Sequence, residues 1–534
     1  MSVVMRRRGW LLGPAMACSI LVACGDDDGD EGTNADGDAG QPDGSMTLLD
    51  AGLDANVASD AALLEKVIAA QISATGNDRF YGVTHDGAGN IYAVGQTSSS
   101  TVSGADYSFV VAKYSKDGVL DTSFGSNGYA IKNVVEGGGS VENARGIVVQ
   151  SSGKIVIAGN AEHAVYAADA GVGPLANDAD IYLVRFNANG SVDSSFGSAG
   201  VVKHDLGTGV VTRATQADGG LANPSLSGAD SMWSLTQTPD GKLVIHTNTI
   251  AQGTTLDGGL RTDSDYALLR LNAEGQLDTS FGGTGVVRTD FSQTNAGARA
   301  ATVLANGSIV AAGYTTSSVL VTAPATSQQP VLYKVNVDGT PDATFGTLDP
   351  VPTPGLFHDI CRADGKNAEA YGAAQQGTKF VTLGYGPTPG SGTGSDWVWF
   401  RFNGDGTQDK TFGTSGVTFM DPGGYGDNGR ALITLPDNKV LGVGGGRPAP
   451  ATPPPMGTNP PSDGMIGVLA ENGQPDPSFG KNGVRLFDFG AGTTDFLWSA
   501  ELSPDKKTVA VVGLGNKASD NDDEDGIVLI LPVP

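Results

Sequence analysis

The stretch that decides the fold is Asp121-Thr122-Ser123-Phe124-Gly125: an aspartate, a variable residue, serine or threonine, phenylalanine and glycine. The pattern occurs six times, at residues 121–125, 193–197, 278–282, 342–346, 409–413 and 476–480. Each copy follows an alternating apolar segment and a turn ending in glycine, as in Leu183-Val184-Arg185-Phe186-Asn187-Ala188-Asn189-Gly190. Such recurrence indicates that one structural unit is repeated along the chain.

The other half of the unit is a turn followed by a β-branched run and a glycine, as in Gly153-Lys154-Ile155-Val156-Ile157-Ala158-Gly159. Seven copies occur, at residues 90–95, 153–159, 242–247, 308–313, 379–384, 439–444 and 508–513. Five of the six phenylalanine motifs are followed by a glycine and another apolar strand, and the copy ending at Gly346 runs into a proline-containing loop. Short alternating segments separated by turns favour β-structure.

Four short strands in each of seven units predict an all-β fold, a seven-bladed β-propeller of four-stranded blades. The last unit ends after the strand Ile527 to Leu531 and lacks a fourth strand. Residues 64–72, with the apolar run Lys66-Val67-Ile68-Ala69-Ala70, precede the first unit. We expect this N-terminal strand to complete the last blade, because a closed ring leaves no open sheet edge.

The repeated Asp-x-Ser/Thr-Phe-Gly motif resembles the delta-60-repeat proteins, a family of predicted β-propellers of bacterial surface proteins. The resemblance covers residues 64–534 and implies the fold and export, but no activity. Calcium-binding FG-GAP propellers share the Phe-Gly pair, but their Asp-x-Asp-x-Asp-Gly loop does not occur in this sequence.

The first residues have the pattern of a targeting segment. Arg6, Arg7 and Arg8 precede an apolar run, Gly9 to Val22, that is too short to span a membrane. Leu21-Val22-Ala23-Cys24 resembles the bacterial lipobox, which implies cleavage before Cys24 and acylation of its thiol. The alternative is an ordinary signal peptide that contains a cysteine. We therefore predict a lipoprotein signal peptide over residues 1–23 and lipidation at Cys24.

Residues 24–61 predict an acidic, disordered tether before the propeller, which we place at 62–534. Between Cys24 and Asp60 the chain holds eleven acidic residues and no lysine or arginine. Such a segment repels itself and buries too little apolar surface to order. Alternating aspartates and glycines also suggest a calcium loop, but the spacing does not match an EF-hand and no glutamate closes it.

The charge and the cysteines exclude several classes of protein. The net charge is −26 and the pI is about 4.4, which argues against nucleic acid as a partner and against acidic lipid surfaces. Of the three cysteines, Cys18 leaves with the signal and Cys24 takes lipid, so Cys361 has no disulfide partner. We expect the acyl chains to be the membrane contact, at the outer membrane or cell surface.

The sequence offers no motif for catalysis, and we expect no cofactor and no metal. The five histidines, residues 85, 163, 204, 246 and 358, do not pair at metal-ligand spacings. Phe357-His358-Asp359-Ile360-Cys361 holds three potential ligands in a loop, which is weak support for a site. No Gly-x-Ser-x-Gly, His-Glu-x-x-His or phosphate-binding glycine loop occurs.

Two series of aspartates recur once in most blades. The motif aspartates, Asp121 and its equivalents, are expected to accept backbone N–H groups in turns, while the motif phenylalanine fills the wedge between blades. A second series precedes the third strand of six blades: Asp106, Asp180, Asp265, Asp396, Asp463 and Asp525. We expect turn chemistry rather than metal binding for both series.

Four long insertions are expected on one face of the propeller. They are Glu162 to Ala179, Thr208 to Ala229, Thr347 to Asn367 and the proline-rich Arg447 to Ser462. All four connect the second strand to the third, or one blade to the next, and these connections share a face. Long loops on a rigid scaffold often bind ligands, and neutral drift on a tolerant surface is the alternative.

One position at the start of each innermost strand gathers large residues. It lies eight residues before the first turn glycine, or its equivalent, and holds Tyr81, Arg145, Trp233, Arg299 and Arg430 in five blades. Tyr371 and Trp498 fall within one residue of it in the other two. Arginines and aromatics at one channel mouth suit a carboxylate, a phosphate or a sugar ring. The alternative is a plug of large side chains that fills the channel.

Two functions remain open from the sequence. We expect a noncatalytic module of the cell envelope that binds a glycan, a peptide or a protein through the long-loop face. The alternative is an envelope hydrolase or lyase whose active site lies at the channel mouth and uses two carboxylates.

Overall fold

The computed structural model describes the chain from residue 65 onward, in the ranges 65–100, 105–136, 142–165, 176–207, 210–212, 225–227, 230–251, 261, 263–290, 295–316, 328–346, 356–357, 367–388, 394–450, 460–490, 494–516 and 524–534. The predicted signal peptide and tether, with Cys24, lie outside these residues, and so do His358 and Cys361. Within the described ranges, no helix is both long enough and apolar enough to cross a bilayer.

The described residues form thirty β-strands. The first half of the chain contains β1 (Lys66–Ala70), β2 (Asp78–His85), β3 (Ile91–Ser98), β4 (Tyr107–Tyr114), β5 (Tyr129–Lys132), β6 (Glu142–Val149), β7 (Ile155–Val165), β8 (Ala176–Phe186), β9 (Val201–His204), β10 (Val210–Thr212), β11 (Ser225–Ser227), β12 (Ser231–Gln237), β13 (Leu243–Ile250), β14 (Ser264–Leu271) and β15 (Val286–Thr289). The second half contains β16 (Ala296–Val303), β17 (Ile309–Thr316), β18 (Gln328–Val335), β19 (Leu356–Phe357), β20 (Gly372–Gln376), β21 (Lys379–Gly386), β22 (Asp396–Phe402), β23 (Val417–Met420), β24 (Asn428–Thr434), β25 (Val440–Gly446), β26 (Asp463–Leu469), β27 (Val484–Phe487), β28 (Phe496–Leu502), β29 (Thr508–Asn516) and β30 (Glu524–Pro532).

These strands pair into seven antiparallel sheets of four strands, which are the blades of a β-propeller. Blades one to six take successive strands: β2–β5, β6–β9, β12–β15, β16–β19, β20–β23 and β24–β27. Blade seven has the order β28-β29-β30-β1, so its outermost strand comes from the start of the domain. The predicted all-β, seven-bladed fold and its closure by the N-terminal strand are confirmed.

The closing strand β1 is buried on both faces. It pairs with β30 from Lys66 opposite Ile530 to Ala70 opposite Gly526. Because successive side chains of a strand point to opposite faces, Val67 packs toward blade six and Ile68 toward blade one. The strand therefore completes two interblade cores at once.

The core lies between neighbouring blades rather than within any one of them. In β13, Val244 packs toward blade four, while Leu243 and Ile245 pack toward blade two. A strand covered on both faces has no polar side, which explains why the second and third strands are nearly continuous apolar runs. A motif phenylalanine is buried in six of the seven wedges: Phe124, Phe196, Phe281, Phe345, Phe412 and Phe479.

The motif aspartates are structural, as predicted. In the third-blade copy, Asp278 Oδ1 accepts hydrogen bonds from the N–H (3.1 Å) and the hydroxyl (2.7 Å) of Ser280. Its Oδ2 pairs with Arg270 Nε at 2.8 Å and with Lys242 Nζ at 2.9 Å. The carboxylate thus closes the turn before the fourth strand and holds two cations of its own blade.

The same motif joins each blade to the next. Gly125 N–H donates to the carbonyl of Asn189 (2.8 Å) in the following blade. Gly190 ends that turn at φ +83°, and a Cβ there would lie 2.5 Å from Gly125 N, so only glycine fits this approach. We call the six Asp-x-Ser/Thr-Phe-Gly segments, with the arginine or lysine bound to each aspartate, the linking motifs.

The structure departs from the sequence-based expectation in three places. Blade four does have a fourth strand, the two-residue β19, which the proline-containing segment concealed. The first insertion begins and ends as an extension of the β7–β8 hairpin, and the second contains the separate ribbon β10–β11. The strand expected over Ile527 to Leu531 is longer, because it runs from Glu524 to Pro532.

Candidate functional site

Seven innermost strands contact one another in sequence around the central channel: β2, β6, β12, β16, β20, β24 and β28. In six of them a β-bulge interrupts the pairing with the second strand, at Tyr81, Arg145, Trp233, Arg299 with Ala300, Arg430 and Trp498. In blade five, Tyr371 stands directly before β20 and its N–H donates to the carbonyl of Leu383 (2.8 Å). A bulge re-aims a side chain, which takes these residues out of the regular alternation.

The bulged residues form one continuous set of contacts, one residue from each blade. We call this set the channel ring: Tyr81, Arg145, Trp233, Arg299, Tyr371, Arg430 and Trp498. The structure therefore brings together all six residues predicted as ligand-binding, with Tyr371 as the seventh. Arginine and aromatic residues alternate around the ring, and because seven is odd, two aromatics meet once: Tyr81 and Trp498 lie edge to face at 5.0 Å.

Each arginine of the channel ring lies against the aromatic residues on both sides. The guanidinium carbon of Arg145 is 4.4 Å from the ring centroid of Trp233 and 5.1 Å from that of Tyr81. That of Arg299 is 4.0 Å from Trp233 and 4.1 Å from Tyr371. These distances are typical of cation–π contacts.

Arg430 completes the alternation. Its guanidinium carbon lies 4.4 Å from the ring centroid of Tyr371 and 4.5 Å from that of Trp498. Phe496, two residues before Trp498 on β28, adds a third aromatic contact at 5.2 Å. The aromatic faces that a sugar could stack on are thus occupied by guanidinium groups, which leaves the in-plane N–H donors of the arginines as the chemistry of the site.

One carboxylate, Glu369, lies against this ring. Its Oε2 is 3.4 Å from Arg299 Nη2, which also donates to the hydroxyl of Tyr371 at 2.8 Å. Burial raises the pKa of Glu369 above its usual value, against the opposing effect of Arg299. Three guanidinium groups against one carboxylate give these eight side chains a formal charge of +2, inside a chain of net charge −26.

Several N–H donors of the ring are buried without a hydrogen-bond partner among the described residues. They are Nε of Arg299, Nε of Arg430 and the indole Nε1 of Trp233 and Trp498. A buried donor without a partner costs about 1–3 kcal/mol, and four of the same polarity in one ring require an explanation. An acceptor-rich ligand, such as an anion, would satisfy them.

The other ionisable groups near the channel look structural. His246 is fully buried, and burial lowers its pKa to about 3. Its Nε2 forms a hydrogen bond with the hydroxyl of Tyr333 at 2.9 Å. Burial raises the pKa of Glu501 to about 7, with a hydrogen bond from Thr84 opposing it. Glu369 pairs with Arg299 rather than with a second carboxylate.

Sequence reasoning missed Glu369. At the corresponding place in five other blades lies an acid, Asp78, Glu142, Asp230, Asp427 or Asp495. Four of these acids accept N–H groups of the chain that enters from the preceding blade, at Ile72, Val134, Leu206 and Phe489, and Asp427 accepts the N–H of Arg447, which follows the second strand of its own blade. Its spacing could have identified it, because Glu369 lies two residues before Tyr371, whereas the acids of the other five blades lie three residues before their ring residues. The predicted lipidation site Cys24 lies outside the described residues, and so do the three potential ligands of the 357–361 segment, His358, Asp359 and Cys361.

The family model described as a domain of unknown function (DUF5122) β-propeller matches residues 150–196, 238–281 and 304–345. Each match spans the second and third strands of a blade and ends on the motif phenylalanine, at Phe196, Phe281 or Phe345. The sequence is therefore similar to a β-propeller family in three of its blades. No curated protein matches the chain in sequence.

The solved structures that resemble this chain do so at very low sequence identity and with TM-scores below 0.5. The polysaccharide lyase Uly1 is 9% identical, with a TM-score of 0.45, 85% of this chain covered and 90% of that one. An α-L-arabinofuranosidase from Fusarium graminearum is 9% identical, with a TM-score of 0.35 and coverage of 72% and 92%. A putative glucose dehydrogenase from Thermus thermophilus is 13% identical, with a TM-score of 0.28 and coverage of 59% and 95%. None of these likenesses says what this chain binds or does.

Proposed function

We propose that this β-propeller is a noncatalytic binding module of the cell envelope, and that its channel ring binds an anionic group of an envelope glycan. The observation that carries the proposal is the set of four buried N–H donors, on Arg299, Arg430, Trp233 and Trp498, that have no hydrogen-bond acceptor among the described residues. An anionic oxygen supplies acceptors to several donors at once.

The surrounding charge makes this site selective. In a chain with 58 acidic and 32 basic residues, most of the surface repels anions. A +2 cluster in a partly desolvated channel is attractive over a short range, where a low local dielectric strengthens each contact. Guanidinium groups that lie between aromatic rings lose little conformational freedom when they bind, so the arginines are preorganised.

The position of the ring suits a chain-like ligand. Six of its residues lie three or four positions into the innermost strands, and Tyr371 stands directly before β20. These strands begin on the face where the long insertions leave the blades. A rise of about 3.3 Å per residue places the ring roughly 10 Å below that face. A glycan whose acidic residue enters the channel could therefore contact the insertions with its neighbouring sugars, which is how rigid scaffolds often combine a pocket with loops.

Isothermal titration of the full chain with three oligosaccharides of equal length tests this proposal. One carries uronic acids, one carries sulfates and one is neutral. We expect the acidic oligosaccharides to bind and the neutral one to bind at least tenfold more weakly, because only an anion satisfies the donors. Equal binding of the neutral sugar, or binding that disappears when Arg447 to Ser462 is shortened but not when the ring arginines change, would contradict a channel site.

The proposed location rests on the N-terminal pattern. We propose that Cys24 carries the lipid that anchors the chain, with residues 24–61 as a tether. The Cys24→Ser variant should accumulate as the uncleaved precursor and incorporate no labelled fatty acid, because the reaction needs the thiol. Processing to the normal mass in that variant would show that an ordinary signal peptidase acts here.

A further inference from the structure

A second group of carboxylates lies where one blade meets the next. Three aspartates converge there: one at the start of the third strand, one directly after the fourth strand, and one directly before the next blade begins. Clusters with ligand oxygens within 4.8 Å of one another are Asp180–Asp205–Asp230, Asp396–Asp421–Asp427 and Asp463–Asp488–Asp495, and a variant of the arrangement is Asp263–Asp265–Asp290. Asp180, Asp265, Asp396 and Asp463 belong to the series for which the sequence predicts turn chemistry and, except for Asp263, their partners in these clusters are distant from them in the sequence.

The cluster between blades five and six contains two buried carboxylates and one exposed carboxylate. Asp396 and Asp427 are 0% and 2% exposed, whereas Asp421 is exposed. Asp427 Oδ1 accepts the N–H of Arg447 at 2.6 Å, but its Oδ2 is buried and has no hydrogen-bond partner among the described residues. Burial, together with the charges of Asp421 and Asp396, raises the pKa of Asp427 to about 8.

At two other junctions, a cation or an amide of the protein itself contacts the carboxylates. Between blades three and four, the Arg261 guanidinium contacts all three aspartates, with Asp265 at 3.0 Å and Asp290 at 2.8 Å. Between blades one and two, Asn133 replaces the second aspartate and its amide donates to Asp106 at 2.8 Å. The fold therefore accommodates a cation, or loses a carboxylate, at this position.

At the blade five–six junction, the charge of Arg447 acts on Asp427, but Asp427 forms no ion pair with a lysine or arginine among the described residues. Arg447, whose backbone N–H binds Asp427, directs its guanidinium to the carbonyl oxygens of Gly426 and Pro460 instead. Three carboxylates within 4.8 Å repel one another strongly when two of them are buried. Arg261, between blades three and four, shows that a positive charge fits among three such carboxylates.

We propose that Asp396, Asp421 and Asp427 bind a calcium ion that joins blade five to blade six. Carboxylate oxygens are the ligands that hard divalent cations prefer, and the exposed side at Asp421 leaves room for water ligands. Calcium accepts irregular oxygen sites, whereas magnesium demands near-octahedral geometry. The Asp463–Asp488–Asp495 cluster repeats the arrangement at the next junction and should bind in the same way.

The ion would also order the proline-rich insertion. Asp427 holds Arg447, the first residue of that insertion, through its backbone N–H, and the Arg447 side chain holds Pro460 near the other end. A ligand that binds the folded protein stabilises it in proportion to the logarithm of its concentration above Kd. Calcium at this junction should therefore raise the melting temperature.

The test uses the full chain, stripped with a chelator and titrated with CaCl2 by calorimetry and thermal unfolding. NaCl at equal ionic strength controls for screening of the −26 charge. We expect calcium binding with a Kd in roughly the millimolar range or below, and a rise in melting temperature that NaCl does not reproduce. The Asp396→Asn/Asp427→Asn variant should bind one calcium ion fewer.

Two further variants keep the outcome decisive. Asp421→Asn changes an exposed residue and cannot damage the core, so it should fold normally and weaken the same calcium site at least tenfold. Asp290→Asn, at the junction filled by Arg261, is the matched control and should leave the calcium stoichiometry unchanged. No binding of calcium by the wild type, or the same stoichiometry and affinity after the Asp421 and Asp427 substitutions, would overturn the proposal.

Discussion

Arg270 in a linking motif and Arg430 in the channel ring both stack on aromatic rings, at 4.7 Å from Phe281 and 4.5 Å from Trp498. Their donors differ. Arg270 donates to Asp278 Oδ2 (2.8 Å), to Ser280 Oγ (2.9 Å) and to the carbonyl of Val337 in the next blade. Arg430 Nε is buried without a partner among the described residues.

The difference in hydrogen bonding distinguishes arginines that stabilise the fold from arginines that we propose bind a ligand. A side chain that only holds the fold together is expected to have its polar groups satisfied, because an unmade buried hydrogen bond costs stability. In every linking motif the aspartate forms an ion pair with a lysine or arginine, whereas four N–H donors of the channel ring have no partner among the described residues. Four unsatisfied donors in one ring are the feature on which the proposed binding site rests.

The largest effect is expected from removing a wedge phenylalanine. Phe281 is fully buried between blades three and four, so Phe281→Ala should lower the free energy of unfolding by about 3–5 kcal/mol. Tyr371→Ala removes a half-buried aromatic of the channel ring and should cost less, about 1–2 kcal/mol. Urea unfolding of the two variants measures this, and equal losses would mean that the ring is part of the core.

An intermediate effect is expected from the charge of a linking aspartate. Burial would raise the pKa of Asp409, but hydrogen bonds from Lys379 (2.6 Å), Thr411 and Arg401 hold it below its usual value. A lowered folded-state pKa contributes stability that is complete above the unfolded value, near 4, and is lost as the pH falls through the folded value.

The Asp409→Asn variant should therefore be less stable than the wild type by about 2 kcal/mol at pH 7, and the gap should narrow toward pH 2. Asp342, whose pKa is lowered to about 2 by Lys334 and Thr344 against the effect of burial, should behave in the same way. Unfolding by urea at pH 7, 4 and 2 gives the profile. A gap that widens as the pH falls would refute the assigned role.

The fold was predictable because its signals are local and repeated. Alternation in strands such as β4 and turn glycines such as Gly118 and Gly190 identify blades one at a time, and counting them gives the closure. The two-residue strand β19 was not predictable, because its position depends on pairing with Leu332 and Tyr333 across a long insertion.

The site was predictable in its positions but not in its contacts. The ring residues could be found by counting, because the bulge recurs at one offset in each blade. Their alternate stacking, and the place of Glu369 beside Arg299, depend on how seven strands from distant parts of the sequence meet. The aspartate clusters were hidden for the same reason: Asp396, Asp421 and Asp427 come from the ends of three different strands.

The same substitution in the two regions tests the central claim most directly. Methionine preserves much of the arginine stem but has no N–H donor. Arg270→Met should lower the free energy of unfolding by about 3 kcal/mol, because it strands Asp278 and the Val337 carbonyl, and it should leave anion binding unchanged. Arg430→Met should change the free energy of unfolding by less than about 1 kcal/mol, because Arg430 Nε has no hydrogen-bond partner among the described residues that the substitution could strand. The same variant should bind the acidic oligosaccharide at least tenfold more weakly. If Arg430→Met destabilises the protein as much as Arg270→Met and leaves oligosaccharide binding intact, the channel ring is a structural plug and not a binding site.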